Sequence, residues 1–190
     1  VIENILDKID HMIIGGGMTF TFIKALGGKV GDSICEDDKM ELALEILHKA
    51  KEKNVHIHIP VDVVAADSFS NDAKTQIVDV REIPDGWQGL DAGPKSLENF
   101  KEVIMNSKTI LWNGPVGVFE VDAYGEGTRI LSNAIAGSDA FSIAGGGDTL
   151  AAIDKYGIKE KISYISTGGG AFLEFVEGKE LPAVSILRER

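Results

Sequence analysis

The sequence predicts a doubly wound α/β fold, with a mainly parallel sheet in a Rossmann-like three-layer α/β/α arrangement. Short apolar strand segments alternate with longer amphipathic helical segments, the pattern of parallel strands joined by helical crossovers. Glycine triplets stand where a strand gives way to a helix at Gly15-Gly16-Gly17, Gly145-Gly146-Gly147 and Gly168-Gly169-Gly170. No low-complexity linker divides the chain, so one domain spanning residues 1–190 is expected.

The elements follow in order. Ile2, Ile5, Leu6 and Ile9 fall at helical spacing, so residues 1–8 read as the end of an amphipathic helix. A strand is expected at 11–14 and a helix at 18–26. The next helix, 37–53, has Met40, Ala43, Leu44, Leu47 and Ala50 on one face. Its acidic start, Glu36-Asp37-Asp38, and basic end suit the helix dipole. A strand at 55–59 is closed by Pro60. Residues 61–65 and 76–80 are expected to form short paired strands around a polar loop. A Gly/Pro-rich connection over 83–94 leads to a helix at 96–105 and a strand at 109–112. A helix between 123 and 136 precedes two strand-to-helix units, 141–155 and 163–176.

Composition removes several classes of function. With 44% hydrophobic and 26% charged residues, the chain can build one substantial core. No apolar run has the length of a membrane helix and residues 1–4 lack the look of a signal peptide, so a cytoplasmic protein with no membrane partner is expected. The lone Cys35 has no CxxC or His partner and reads as an ordinary thiol. A net charge of -11, from 30 acidic and 19 basic residues, argues against nucleic acid as a partner. Such a chain must hold a phosphate through backbone N–H groups, helix N-termini and a bridging cation.

The glycine corners provide such groups. In Gly145-Gly146-Gly147-Asp148-Thr149 the glycines allow a tight turn and close ligand approach, and the helix that follows begins with N–H groups that lack intrahelical partners. Asp148 offers oxygen to a hard cation and Thr149 a hydroxyl to an anion. Neither G-x-G-x-x-G nor the lysine-bearing phosphate loop is present, so a standard nicotinamide or flavin domain has no fingerprint here. A further strand exit, Asn113-Gly114-Pro115-Val116-Gly117-Val118-Phe119-Glu120, places Pro115 and Val118 for a purine face, Glu120 for ribose hydroxyls and Asn113 for a phosphate.

Asn113 to Glu120, Gly145 to Thr149, Ser166 to Ala171, Met12 to Lys24 and the Gly89-Leu90 pair resemble the motifs of phosphoglycerate kinase, in that family's order. The likeness covers the whole chain and is to the C-terminal, nucleotide-binding half of the enzyme, truncated at its N-terminus. It implies an adenine slot from Gly15, Gly16, Gly89, Leu90, Pro115 and Val118, with Glu120 on the ribose. It also implies phosphates and Mg²⁺ held by Gly146, Gly147, Asp148 and Thr149, Asp148 being the metal contact, and charge in transit stabilised by Gly147, Gly169 and Gly170. The implied reaction is reversible phosphoryl transfer between 1,3-bisphosphoglycerate and ADP, giving 3-phosphoglycerate and ATP. Family members carry a Gly-Ala-Lys-Val-type turn ahead of the position of Val1, and an N-terminal half that holds the phosphoglycerate. A monomer that binds nucleotide but does not turn over alone is therefore expected; a non-catalytic nucleotide-binding module is the alternative. Tyr164, Phe172 and Ala183 depart from the family pattern.

Other residues have plainer readings. His56 and His58 alternate on one strand face and could chelate a metal, but without a third ligand they read as two strand histidines near a surface. Trp112 reads as core whose indole N–H needs an acceptor, Phe20, Phe22 and Ile23 as core or pocket wall, and Arg129 and Lys155 as surface residues.

Overall fold

In the computed structural model, which describes residues 5–166 and the backbone of Val184–Leu187, strand β1 (Ile9–Ile13) is apolar on both faces. Met12 and the following Ile14 pack with Phe22, Ala43 and Ile46, whereas Ile13 points the other way, among Phe100, Trp112 and Leu131. A strand buried on both sides must carry helices on both sides. On one face lie α1 (Met18–Ala25) and α2 (Met40–Glu52); on the other lie α3 (Pro94–Met105), α4 (Glu126–Gly137) and α5 (Gly147–Tyr156). The predicted three layers are present.

The main sheet runs in the order β10 (Tyr164–Ser166), β9 (Phe141–Gly145), β8 (Thr109–Trp112), β11 (Val184–Leu187), β1, β3 (His56–His58). The β8/β9, β9/β10 and β1/β3 pairs are parallel. Strand β11 is antiparallel to both neighbours and separates β1 from β8.

Outside this sheet, β2 (Lys29–Val30) pairs with β6 (Glu82–Ile83). A three-stranded antiparallel sheet places β4 (Asp62–Ala66) between β5 (Thr75–Asp79) and β7 (Gln88–Ala92). The expected pairing of 61–65 with 76–80 is observed within a residue. Strand β7 falls in the segment expected to be a connection. Several other boundaries shift because local turns take the first residues. Asp37–Lys39 and Asp122–Tyr124 are 3-10 turns, so α2 and α4 begin after them.

Helix α3 begins at Pro94, whose fixed φ and missing N–H suit a first helical position. Its cap residue Gly93 has no side chain to receive the early N–H groups. Asp62, at the start of β4, supplies the acceptors from a distance: its carboxylate takes the N–H groups of Lys95 (3.1 Å) and Ser96 (2.9 Å) and the Ser96 hydroxyl (2.6 Å). This buried carboxylate joins the antiparallel sheet to the helical layer and lies where the helix dipole favours negative charge.

At the β1/β3 edge the fold supplies a third histidine. His11 is in register with His56, and its ring lies 5.1 Å from that of His56 and 5.2 Å from that of His58. His11 Nδ1 and His58 Nε2 are 3.0 Å apart. Burial, then the neighbouring rings, pull His58 down to about 4; burial and His56 also lower His11. Both imidazoles are therefore uncharged near neutral pH.

Candidate functional site

Main-chain hydrogen bonds draw the strand exits together. After β1, the N–H of Gly16 reaches the carbonyl of Val116 at 3.4 Å, and the N–H of Val118 donates to Leu90 of β7 at 2.9 Å. Close approach at Gly89 requires a bare backbone, since an added Cβ would stand 2.5 Å from Phe20 Cζ. The Gly89 N–H donates to Ser33 Oγ at 2.9 Å, fixing β7 against the loop beyond α1.

The third exit, from β9, turns through Gly146, whose φ of 94° lies in the left-handed region that glycine favours. There α5 begins. The Thr149 hydroxyl is buried against the neighbouring turn and accepts the Gly114 N–H at 2.6 Å. Trp112, fully buried, donates its indole N–H to the Gly114 carbonyl at 3.1 Å, the acceptor its burial demands.

These loops enclose a cavity of about 340 Å³, a ligand-sized volume. Gly15, Gly16, Gly89, Leu90, Asn113, Pro115, Val118, Glu120 and Asp148 line it together. Gly146 adjoins it, for a Cβ there would stand 2.5 Å from Asn113 Oδ1. Gly147 opens α5 and Thr149 lies beneath its first turn, outside the lining. Gly168, Gly169 and Gly170 fall outside the described residues, as do Phe172 and Ala183. Tyr164 is exposed.

The lining includes apolar Phe20, Val63, Leu90, Pro115 and Val118 and the carboxylates of Glu120, Asp91 and Asp148. No lysine or arginine is among the described lining residues.

Sequence reasoning missed Ile34, Phe69 and Asp91, all of which line the cavity. Ile34 and Phe69 are large apolar residues left exposed at 71% and 57% in otherwise polar loops, and that contrast is the signal that could have found them. Asp91 is buried beneath Gly117 and Gly127. Desolvation pushes its carboxyl up to about 7, against the opposing pull of the Gly127 and Ala92 N–H groups.

Lys155 lies at the surface, as expected. Its ammonium donates to the Phe119 carbonyl at 2.7 Å and to Asp122 at 3.1 Å, tying α5 to the loop after β8. Arg129 does lie at the surface, paired with Glu126.

A family model described as phosphoglycerate kinase matches residues 1–179. The chain belongs to the phosphoglycerate kinase family. Its fold is similar to that of the phosphoglycerate kinase from Coxiella burnetii, with a TM-score of 0.89 and 48% identity over 95% of this chain and 47% of that one. The enzyme from Pyrococcus horikoshii OT3 is similar with a TM-score of 0.73 and 34% identity, over 92% of this chain and 44% of that one. The chain thus spans less than half the length of these phosphoglycerate kinases. Among its described residues no helix is long and apolar enough to cross a membrane.

Proposed function

We propose that this chain is the nucleotide-binding, C-terminal half of a phosphoglycerate kinase. It would supply the ADP/ATP site for reversible phosphoryl transfer with 1,3-bisphosphoglycerate. The observation that carries this reading is the convergence of Gly15–Gly16, Gly89–Leu90, Asn113–Glu120 and Asp148 on one cavity. Adenine lies against Gly15, Gly16, Gly89, Leu90, Pro115 and Val118, and the ribose hydroxyls donate to Glu120. Asn113 and the first N–H groups of α5, from Gly147 to Thr149, meet the phosphates.

The residues fit Mg²⁺. Asp148 is an exposed carboxylate on the cavity rim, and Mg²⁺ beside a nucleotide needs one or two carboxylates, with phosphate oxygens and water completing its shell. The metal, when bound, neutralises phosphate charge. Thr149 supports the site by fixing the Gly114 turn, and Gly169 and Gly170 would join Gly147 in offering donors to the transferring group. In this reading the phosphoglycerate is held by the half of the enzyme outside these 190 residues, and residues 1–190 by themselves bind nucleotide as a monomer without turnover.

Calorimetric titration of ADP with and without Mg²⁺ tests the site, repeated with Asp148→Ala. Tighter binding with Mg²⁺ in the parent and a reduced magnesium effect in the variant are expected. An unchanged magnesium effect removes Asp148 from the metal role, and absence of ADP binding by the folded chain overturns the assignment. A coupled assay of the 190-residue chain is expected to show no turnover.

A further inference from the structure

The last turn of α5 reaches back to the loop after β8. The Lys155 ammonium donates to the Phe119 carbonyl at 2.7 Å and to Asp122 Oδ1 at 3.1 Å, and the Tyr156 hydroxyl donates to the Gly125 carbonyl at 3.1 Å. The same ammonium lies 5.8 Å from the centre of the Phe119 ring and 5.9 Å from that of Tyr156, within range of a cation–π contact with each. Resting on the nucleotide reading above, we infer that Lys155 is a positioning residue for the ribose: by holding the Phe119 carbonyl it sets the direction in which Glu120 meets the ribose hydroxyls.

The Phe119 carbonyl and the Glu120 N–H share one planar peptide unit, so a donor that fixes the carbonyl also fixes the bond by which Glu120 leaves that plane. Phe119 is anchored on its other side, its ring buried at 3% exposure in the core and its N–H donating to the Gly117 carbonyl at 3.0 Å. Glu120 itself is exposed on the cavity lining. An exposed carboxylate on a loose turn loses freedom when it takes up a ligand, and holding its backbone beforehand lowers that cost.

Helix α5 thereby serves both ends of the nucleotide. Its first N–H groups meet the phosphates, and Lys155, about 12 Å further along the axis, sets the ribose acceptor. Phosphate and ribose contacts are referred to one element, which favours a ligand that carries both groups at the ribonucleotide spacing.

ADP and 2′,3′-dideoxy-ADP are titrated with Mg²⁺ into the 190-residue parent chain, Lys155→Met, Glu120→Gln and the double variant. The parent should bind ADP more tightly than the dideoxy analogue. In Lys155→Met the ADP affinity should fall about three- to tenfold while that for dideoxy-ADP stays at the parental value, and in the Glu120→Gln background no further loss should follow. Arg129→Gln, which breaks a surface pair on α4, should change neither affinity. Without nucleotide, the Glu120 amide and Phe119 carbonyl resonances should move in Lys155→Met. Circular dichroism checks folding; should Lys155→Met not fold, Asp122→Asn loosens the same ammonium, with a loss again expected for ADP alone. Equal losses for the two ligands, or an unmoved Glu120 amide, would overturn the positioning role and leave the nucleotide site standing. Absence of ADP binding, or equal parental affinity for the two nucleotides, would overturn the ribose contact and the inference together.

Discussion

Asp91 Oδ2 accepts a hydrogen bond from the Gly127 N–H at 2.8 Å, joining the end of β7 to the first turn of α4. Asp91 Oδ1 accepts the N–H of Ala92 at 2.9 Å, so both oxygens face main chain in a site from which water is almost excluded. The absent side chains of Gly117 and Gly127 leave the room this carboxyl occupies.

This burial makes stability depend on pH in an unusual direction for an acid. The folded carboxyl titrates near 7 and the unfolded one near 3.8, so between those values the folded chain holds the extra proton. The stability contributed by that proton is full below the lower value and is lost as pH rises through the upper one. Urea midpoints should therefore fall between about pH 4 and pH 7 in the parent, and less so in Asp91→Asn. Equal slopes in the two proteins would show that Asp91 ionises in the folded chain as it does when unfolded.

Gly89→Ala tests the close approach of β7 to α1. The new methyl meets the Phe20 ring end-on, and Phe20 is itself held among Ile23, Val63 and Ile83. Overpacking of this kind costs about 1–3 kcal/mol, measurable as a lower urea midpoint. ADP affinity should fall with it, because Phe20 and Leu90 are pushed towards the ligand space.

Thr149→Val keeps shape but removes the acceptor of the Gly114 N–H. A partly buried donor left unpaired costs about 1–3 kcal/mol. Thr149→Ser retains the hydroxyl and should recover most of that stability. A valine variant with parental stability would mean that water or the backbone replaces the bond.

Asp62→Ala removes the acceptor shared by Lys95, Ser96 and the Ser96 hydroxyl at the head of α3. Loss of a helix cap alone costs about 1 kcal/mol, and the buried donors left behind add to it. A fall in urea midpoint of at least that size is expected, with faster amide exchange at Lys95 and Ser96.

The main architecture was legible because its signals are local. Met40, Ala43 and Ala50 repeat with helical spacing, and the glycine corner after Phe141-Ser142-Ile143-Ala144 marks a strand passing into a helix. Strand β7 was not, because Gln88-Gly89-Leu90-Asp91-Ala92 has neither alternation nor β-branched residues. Its strand character comes from pairing with β4, a tertiary fact. Lys155 is at the surface as its place beyond the first turn of α5 predicts, but its partner, the Phe119 carbonyl, comes from another part of the chain and was not visible in the local pattern. The histidine trio was half visible, since His56 and His58 lie two apart while only sheet register brings His11 beside them.

The position of β11 bears on how the protein assembles. It pairs Val184 with Ile13 on one side and with Trp112 on the other, so the centre of the main sheet is sealed by a segment synthesised long after both flanking strands. The β1/β3 pair and the β8/β9/β10 strands can each form their own ladders early, but joining them through β11 waits on a contact with a large loop-closure cost. During translation, the two unsealed edges at that seam are the surfaces that a holding chaperone would be expected to cover.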